Sequence, residues 1–252
     1  MIEILILSFI QGITEFIPVS SSSHLIIISE YFKFNNQSLE IDVSLHIGSF
    51  IAVIFFFRKD IFNFIQNKDL FLKIIIGSIP VMITGYFLVE YDLIKEIRNI
   101  KIIGWTTLLF GILLFMSDKF ETKKTIDSSF TLKTAVIIGF FQVLSLIPGV
   151  SRAGITITGA RVLKFSRYDS AKISFLLSIP TLAAVSFFGL NNLIKSNNFN
   201  FSFLMIISIV LSFFFSLITI KFFLRFIKNF NLNLFVFYRV VLGIILILIS
   251  YL

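Results

Sequence analysis

The sequence predicts an all-α integral membrane protein made of two inverted-topology repeats, each a re-entrant helix-loop-helix hairpin plus three transmembrane helices. Three observations predict it. Hydrophobic residues make up 57% of the chain and charged residues only 14%, against roughly 25% charged in soluble domains. Six apolar runs are long enough to cross a bilayer, and two others are broken by proline and small polar residues. The two halves also match each other at a nearly constant offset.

The first run, Ile2 to Ile17, has no basic start and contains Glu3, Gln11 and Glu15. That composition argues against a cleaved signal peptide. Pro18 and the serines from Ser20 to Ser23 interrupt it before a short apolar piece, Leu25 to Phe32. Crossing the hydrocarbon takes about 20 residues. Candidate spans follow at Asp42 to Phe57, Leu72 to Val89 and Ile102 to Ser117. A second interrupted run, Leu132 to Ile147, meets Pro148, Gly149, Ser151, Arg152 and Gly154 before Ile155 to Leu163. The last three spans are Ala171 to Leu190, Phe201 to Phe223 and Leu234 to Leu252. Backbone outside a helix survives at membrane depth only where protein or a wet cavity covers it. Both interrupted runs therefore read as hairpins that turn back near mid-membrane.

Charge placement sets the orientation. With six crossings, fifteen of the 22 lysines and arginines fall on one side. Five fall on the other: Lys33, Lys95, Arg98, Lys101 and Lys195. Arg152 and Arg239 lie within membrane segments. The positive-inside rule then puts both termini outside, with the first hairpin entering from outside and the second from inside. Basic loops account for the net charge of +8 without nucleic acid. The chain has no cysteine, which excludes disulfides, thiolate metal sites and cysteine nucleophiles.

The repeat is visible in Phe9-Ile10-Gln11 against Phe140-Phe141-Gln142, in Pro18 and Ser21 against Pro148 and Ser151, and in Gly111 against Gly243. Ala52 to Phe56 likewise matches Ala184 to Phe188. The chain reads as a single membrane domain, 1–252, with one repeat at about 1–120 and the other at about 130–252. Three crossings per repeat is odd, so the second copy must be inverted. Such repeats place a binding site near the midplane, where the two breaks meet.

The breaks carry the chemistry. Gln11 and Glu15 share one helix face, and a carboxylate in a membrane is a functional candidate by default. Arg152 is the only basic residue in its segment, and its planar fork suits phosphate. A helix starting near His24 would aim free amides at the break, which favours an anion. Ser20, Ser21, Ser22, Ser151 and Thr156 supply hydroxyls. This set suits phosphoryl chemistry. Glu15, with Gln11, could hold Mg²⁺ or Ca²⁺, which prefer oxygen ligands. Ser21 and His24 are three apart, a spacing open to a hydroxyl and its base, and either Ser21 or a water activated by His24 could attack phosphorus. His46, four residues after Asp42, reads more simply as a core histidine, and Asp42 as a helix cap.

At these residues the chain resembles the bacitracin-resistance type of undecaprenyl-diphosphatase. The shared features are Gln11-x-x-x-Glu15 followed by the serines and His24, and Pro148-Gly149-Val150-Ser151-Arg152-Ala153-Gly154-Ile155-Thr156. The resemblance runs over the whole chain. It implies an integral enzyme of the bacterial plasma membrane that converts undecaprenyl diphosphate to undecaprenyl phosphate, recycling the lipid carrier for wall polymers. It also implies a divalent-cation requirement, a site open to the outer face and bacitracin resistance on overexpression. By position, Glu15, Ser21, His24 and Arg152 inherit catalytic roles, with Gln11 and Ser151 in support. Two positions depart from the family pattern: Ala153 stands where serine is usual, and Ser23 where glycine is common. The first would remove a phosphate contact and the second would alter the turn. The rival function is a lipid transporter or flippase, which shares this architecture but needs neither nucleophile nor base. A purely structural subunit would have no use for a membrane-embedded Glu, Arg and His.

Overall fold

The computed structural model describes residues 1–32, 34, 38–66, 68–91, 93, 97–195 and 202–252. Within them the fold is all-α. Helices α1 (Ile2–Thr14) and α2 (Ser21–Phe32) flank the first break. They are followed by α3 (Leu39–Phe56), a connecting helix α4 (Arg58–Gln66), α5 (Lys68–Glu90) and α6 (Ile100–Asp118). Helix α7 (Leu132–Val143), a 3₁₀ turn at Leu144–Leu146 and α8 (Arg152–Val162) flank the second break. Helices α9 (Arg167–Lys195), α10 (Phe203–Asn229) and α11 (Asn233–Tyr251) complete the bundle.

Six of these, α3, α5, α6, α9, α10 and α11, are long and apolar enough to cross a membrane. They coincide with the six runs read from the sequence but extend beyond most of them. α9 starts at Arg167 and α10 ends at Asn229, because a helix continues past the hydrocarbon once charged side chains can reach the interface. Lys33, Lys95 and Phe201 lie outside the described residues. Large apolar side chains such as Phe187, Phe214, Ile218 and Phe237 stand exposed on the outside of the bundle, as a lipid-facing surface requires.

Inside, the helices approach through small residues, as expected where lipid gives no hydrophobic drive to association. On the α3–α10 contact, Ser49 Oγ lies 3.2 Å from Ser212 Oγ and 3.0 Å from Ser216 Oγ. Where α5 crosses α7, a Cβ added at Gly139 would stand 2.0 Å from the Gly77 carbonyl. An aromatic core lies beneath the first break: Phe16 meets Phe175 edge-on at 5.4 Å, and Phe175 packs on Phe223 at 5.9 Å.

One end of the bundle gathers ion pairs. Arg167 Nε is 2.6 Å from Asp118 Oδ1, and Lys172 Nζ is 2.7 Å from Asp60 Oδ1. Arg161 is buried there and donates to the carbonyls of Asp118, Phe120 and Phe165.

Candidate active site

The two interruptions arise from the same local rule. Proline lacks an amide hydrogen and disfavours helix in the residue before it. α1 stops before Pro18 and α7 before Pro148; Pro80 and Pro180 stay inside α5 and α9, so each break needs the positive-φ residues after its proline as well. The chain then re-enters a helix through a serine with a left-handed backbone, Ser20 at φ 79° and Ser151 at φ 70°. Ser151 Oγ caps α8 by accepting from Gly154 N at 3.1 Å. Ser20 Oγ bonds Ser23 Oγ at 3.0 Å. Gly149, at φ 93°, is irreplaceable on space as well as angle, since a Cβ there would stand 1.9 Å from Thr106 Oγ1.

The carbonyls freed by the breaks converge on Arg239 of α11. Its Nη1 donates to Pro18 O at 3.2 Å and Val150 O at 3.0 Å, and its Nη2 to Gly149 O at 3.0 Å. This fully buried guanidinium ties the two breaks together. Thr106 Oγ1 adds a bond to Pro148 O at 2.6 Å.

Between the breaks the predicted charges meet. Arg152 Nη2 lies 3.0 Å from Glu15 Oε1, with both side chains largely buried. The same nitrogen donates to Glu15 O at 3.2 Å, and Nη1 to Ser174 O at 3.2 Å. The other carboxylate oxygen, Oε2, accepts from Ser21 Oγ at 2.6 Å and from Gln11 Nε2 at 3.1 Å. Above this cluster opens a cavity of about 660 Å³. Glu15, Ser20, Ser21, Ser22, Ser151 and Arg152 line its polar end. Its apolar walls come from the C-terminal halves of α5 and α9, including Val81, Tyr86, Leu182 and Phe188.

A family model described as bacitracin resistance protein BacA matches residues 4–245. The chain belongs to this family. An undecaprenyl-diphosphatase of Pelagibacter ubique (strain HTCC1062) is 52% identical over 251 residues, covering 99% of this chain and 98% of the relative. One from Hahella chejuensis (strain KCTC 2396) is 44% identical over 200 residues, 74% of each chain. One from Jannaschia sp. (strain CCS1) is 36% identical over 259 residues, 98% of this chain and 97% of the relative.

Against the residues expected of such a family member, the placement differs in four respects. His24 does not pair with Ser21: its Nδ1 lies 2.6 Å from Ser20 O and its Nε2 2.5 Å from Tyr238 OH, and it is not part of the cavity wall. The hydroxyl's partner is Glu15 instead. α2 begins at Ser21 rather than near His24, so three of the serines form its first turn. Thr156 is buried behind the site, its hydroxyl 2.6 Å from Ser174 Oγ and 2.7 Å from Arg152 O, and it does not reach the cavity. Ala153 is also buried away from the wall, and Ser23 sits in a helical turn that needs no glycine, the unusual angle falling at Ser20. Neither departure therefore touches the cavity.

Residues that the sequence left unassigned also reach the site. His46 lines the cavity, with its Nδ1 2.8 Å from Asp42 O, and the cap of α3 is Ser38 rather than Asp42. Arg239 could have been flagged as the one charged residue in a 19-residue apolar helix. Among the described residues no three His, Asp or Glu side chains cluster as a metal cage. Gln11 turns its Nε2 toward the Glu15 carboxylate, and its Oε1 is buried without a hydrogen-bond partner. With its amide turned over, Gln11 would set Oε1 beside that carboxylate, two hard oxygens of the kind a divalent cation prefers.

Proposed function

We propose that this chain is an undecaprenyl-diphosphate phosphatase, releasing phosphate and undecaprenyl phosphate to recycle the lipid carrier of cell-wall synthesis. Membership of a family whose relatives carry that name supports the activity. The observation that carries the mechanism is the single contact group of Glu15, Ser21 and Arg152 at one polar end of the cavity.

Arg152 and the hydroxyls of Ser20, Ser22 and Ser151 hold the oxygens of the terminal phosphate. Ser21 Oγ attacks that phosphorus and passes its proton to Glu15, the base already hydrogen-bonded to it. The bond to the bridging oxygen breaks, and undecaprenyl phosphate leaves with that oxygen and with the proton that Glu15 passes to it. Water then cleaves the phosphoserine, with Glu15 again taking the proton and returning it to Ser21. Arg152 neutralises charge on the transferring group in a largely buried site, where such preorganised contacts count most. Where a Mg²⁺ or Ca²⁺ is bound, Glu15 and Gln11 would hold it, and it would add positive charge beside the phosphoryl group. His24, locked between Ser20 and Tyr238, steadies the serine turn.

The finer architecture belongs to the same proposal: one membrane domain, 1–252, of two inverted repeats with re-entrant hairpins. The packing supports it by exchange. Helix α5 packs on α7 and α9 as α10 packs on α1 and α3, and α3 meets its counterpart α9 near the centre. The cavity faces the outside of a bacterial plasma membrane. Its mouth carries Glu90 and Lys195, at the ends of α5 and α9 opposite the ion pairs of Asp60, Asp118, Arg167 and Lys172. The apolar walls between α5 and α9 suit the prenyl chain.

The test is phosphate release from C55 diphosphate by the purified protein in detergent, run beside Glu15→Ala. Turnover by the parent and none by the variant is the expected result. An inactive parent that moves the same lipid between leaflets of a vesicle would make it a flippase.

A further inference from the structure

We infer that Gln142, which lines the cavity with Arg152 on the same helix–break–helix unit, is a binding residue for the diphosphate. The inference rests on the phosphatase reading above.

Gln142 is the repeat counterpart of Gln11, and both side chains are fully buried near the ends of α1 and α7. They differ in what stands four residues on. Gln11 has Glu15 four residues on and donates its amide to that carboxylate at 3.1 Å. Four residues after Gln142 stands Leu146, which offers nothing. Both polar atoms of Gln142, Oε1 and Nε2, make no hydrogen bond to the protein. A buried amide left this way is costly, so such a group needs a partner of its own.

The cavity supplies the place for one. Gln142 lines it together with Ser145, Ser151 and Arg152. A ligand there that matches Arg152 and the hydroxyls is an oxyanion rich in acceptors, and the neutral amide suits it as a donor without adding charge. Nε2 would donate to a non-bridging oxygen of the diphosphate, and Oε1 would accept from a hydroxyl of the site. Gln142 touches the group in ground state and transition state alike, so its contribution is to binding rather than to the chemical step.

The experiment compares Gln142→Leu and Gln142→Glu with the parent, using C55 diphosphate in detergent and reading KM, kcat and thermal unfolding. The leucine variant should raise KM about fivefold to tenfold, the size of one neutral hydrogen bond, with kcat within about twofold. Its melting temperature should equal or exceed the parent's, since no protein contact is lost. The glutamate variant should lower kcat/KM by about a hundredfold or more, because a carboxylate would oppose the phosphate. An unchanged KM in the leucine variant overturns the proposal. So does a lowered melting temperature, which would mean a structural partner within the protein. Calorimetric binding of C55 diphosphate separates this failure from failure of the phosphatase reading. A parent that binds without turnover is no phosphatase, and Gln142 is then judged by whether its leucine variant weakens Kd by the same factor.

Discussion

The first and second breaks solve one backbone problem with different chemistry. Each ends a helix before a proline and restarts it from a serine with positive φ. The first break then exposes an acid and hydroxyls, in Glu15, Ser20, Ser21 and Ser22. The second presents a guanidinium, glycine and a capping serine, in Arg152, Gly149 and Ser151. Neither unit alone is a phosphate site. The first lacks positive charge, and the second lacks a base. What joins them is Arg239, which touches no cavity wall and holds backbone from both. On the proposed reading, two repeats share a fold and divide one reaction between them, with a third element fixing their spacing.

That division can be broken first at its acidic half. Glu15→Gln keeps the shape and a hydrogen bond to Ser21 but removes the base and the charge facing Arg152. Phosphate release should fall by about a thousandfold in kcat/KM, within the usual range for losing a general base. Equal turnover in the variant would remove Glu15 from the chemistry and leave the second break to carry it. Chelation comes next. EDTA should lower turnover about a hundredfold if a cation on Glu15 and Gln11 shares the phosphate charge with Arg152. Undiminished release in EDTA would assign that charge to the guanidinium alone.

The joint itself is the third target. Arg239→Met leaves the carbonyls of Pro18, Gly149 and Val150 without their common donor. Relief from burying a guanidinium offsets part of that loss, so the net destabilisation should be about 2–4 kcal/mol, read from thermal unfolding in detergent. Activity should fall with it, because the two halves lose their register. A variant that melts with the parent would show the breaks to be fixed by α1, α7 and α8 without it.

These tests separate what was legible in the sequence from what was not. The six spans were legible because hydrocarbon demands an unbroken apolar run, and the breaks because Pro18 and Pro148 leave a local mark. The meeting of Glu15 with Arg152 was legible too, since neither charge is tolerable alone at membrane depth. The pairing of His24 with Tyr238 was not, because 214 residues separate them and the spacing to Ser21 offered a nearer partner. Nor was the role of Arg239. Its acceptors are backbone carbonyls, which every residue has, so no residue type announces them. Gln142 stood in view as the repeat mate of Gln11, but only the structure shows that Leu146 leaves its amide unengaged.

The smallest effect bears on why serine, rather than glycine, stands at both left-handed positions. A non-glycine residue there costs about 1–2 kcal/mol, so Ser20→Gly and Ser151→Gly each relieve strain. Each also removes a hydroxyl. Ser151 loses the cap on Gly154 N, which is worth about 1 kcal/mol, so its variant should unfold close to the parent. Ser20 loses only hydroxyl–hydroxyl contacts, to Ser23 at 3.0 Å and Ser22 at 3.5 Å, so its variant should be the more stable of the two, by about 1 kcal/mol or less. Both should nevertheless bind C55 diphosphate more weakly, by about threefold to tenfold in KM, because both residues line the cavity. Stability that holds or rises while KM worsens would mean that each break keeps a strained serine for the sake of the phosphate. If KM instead stays at the parent value in both, the two serines are turn residues only, and the contrast between the breaks reduces to Glu15 against Arg152.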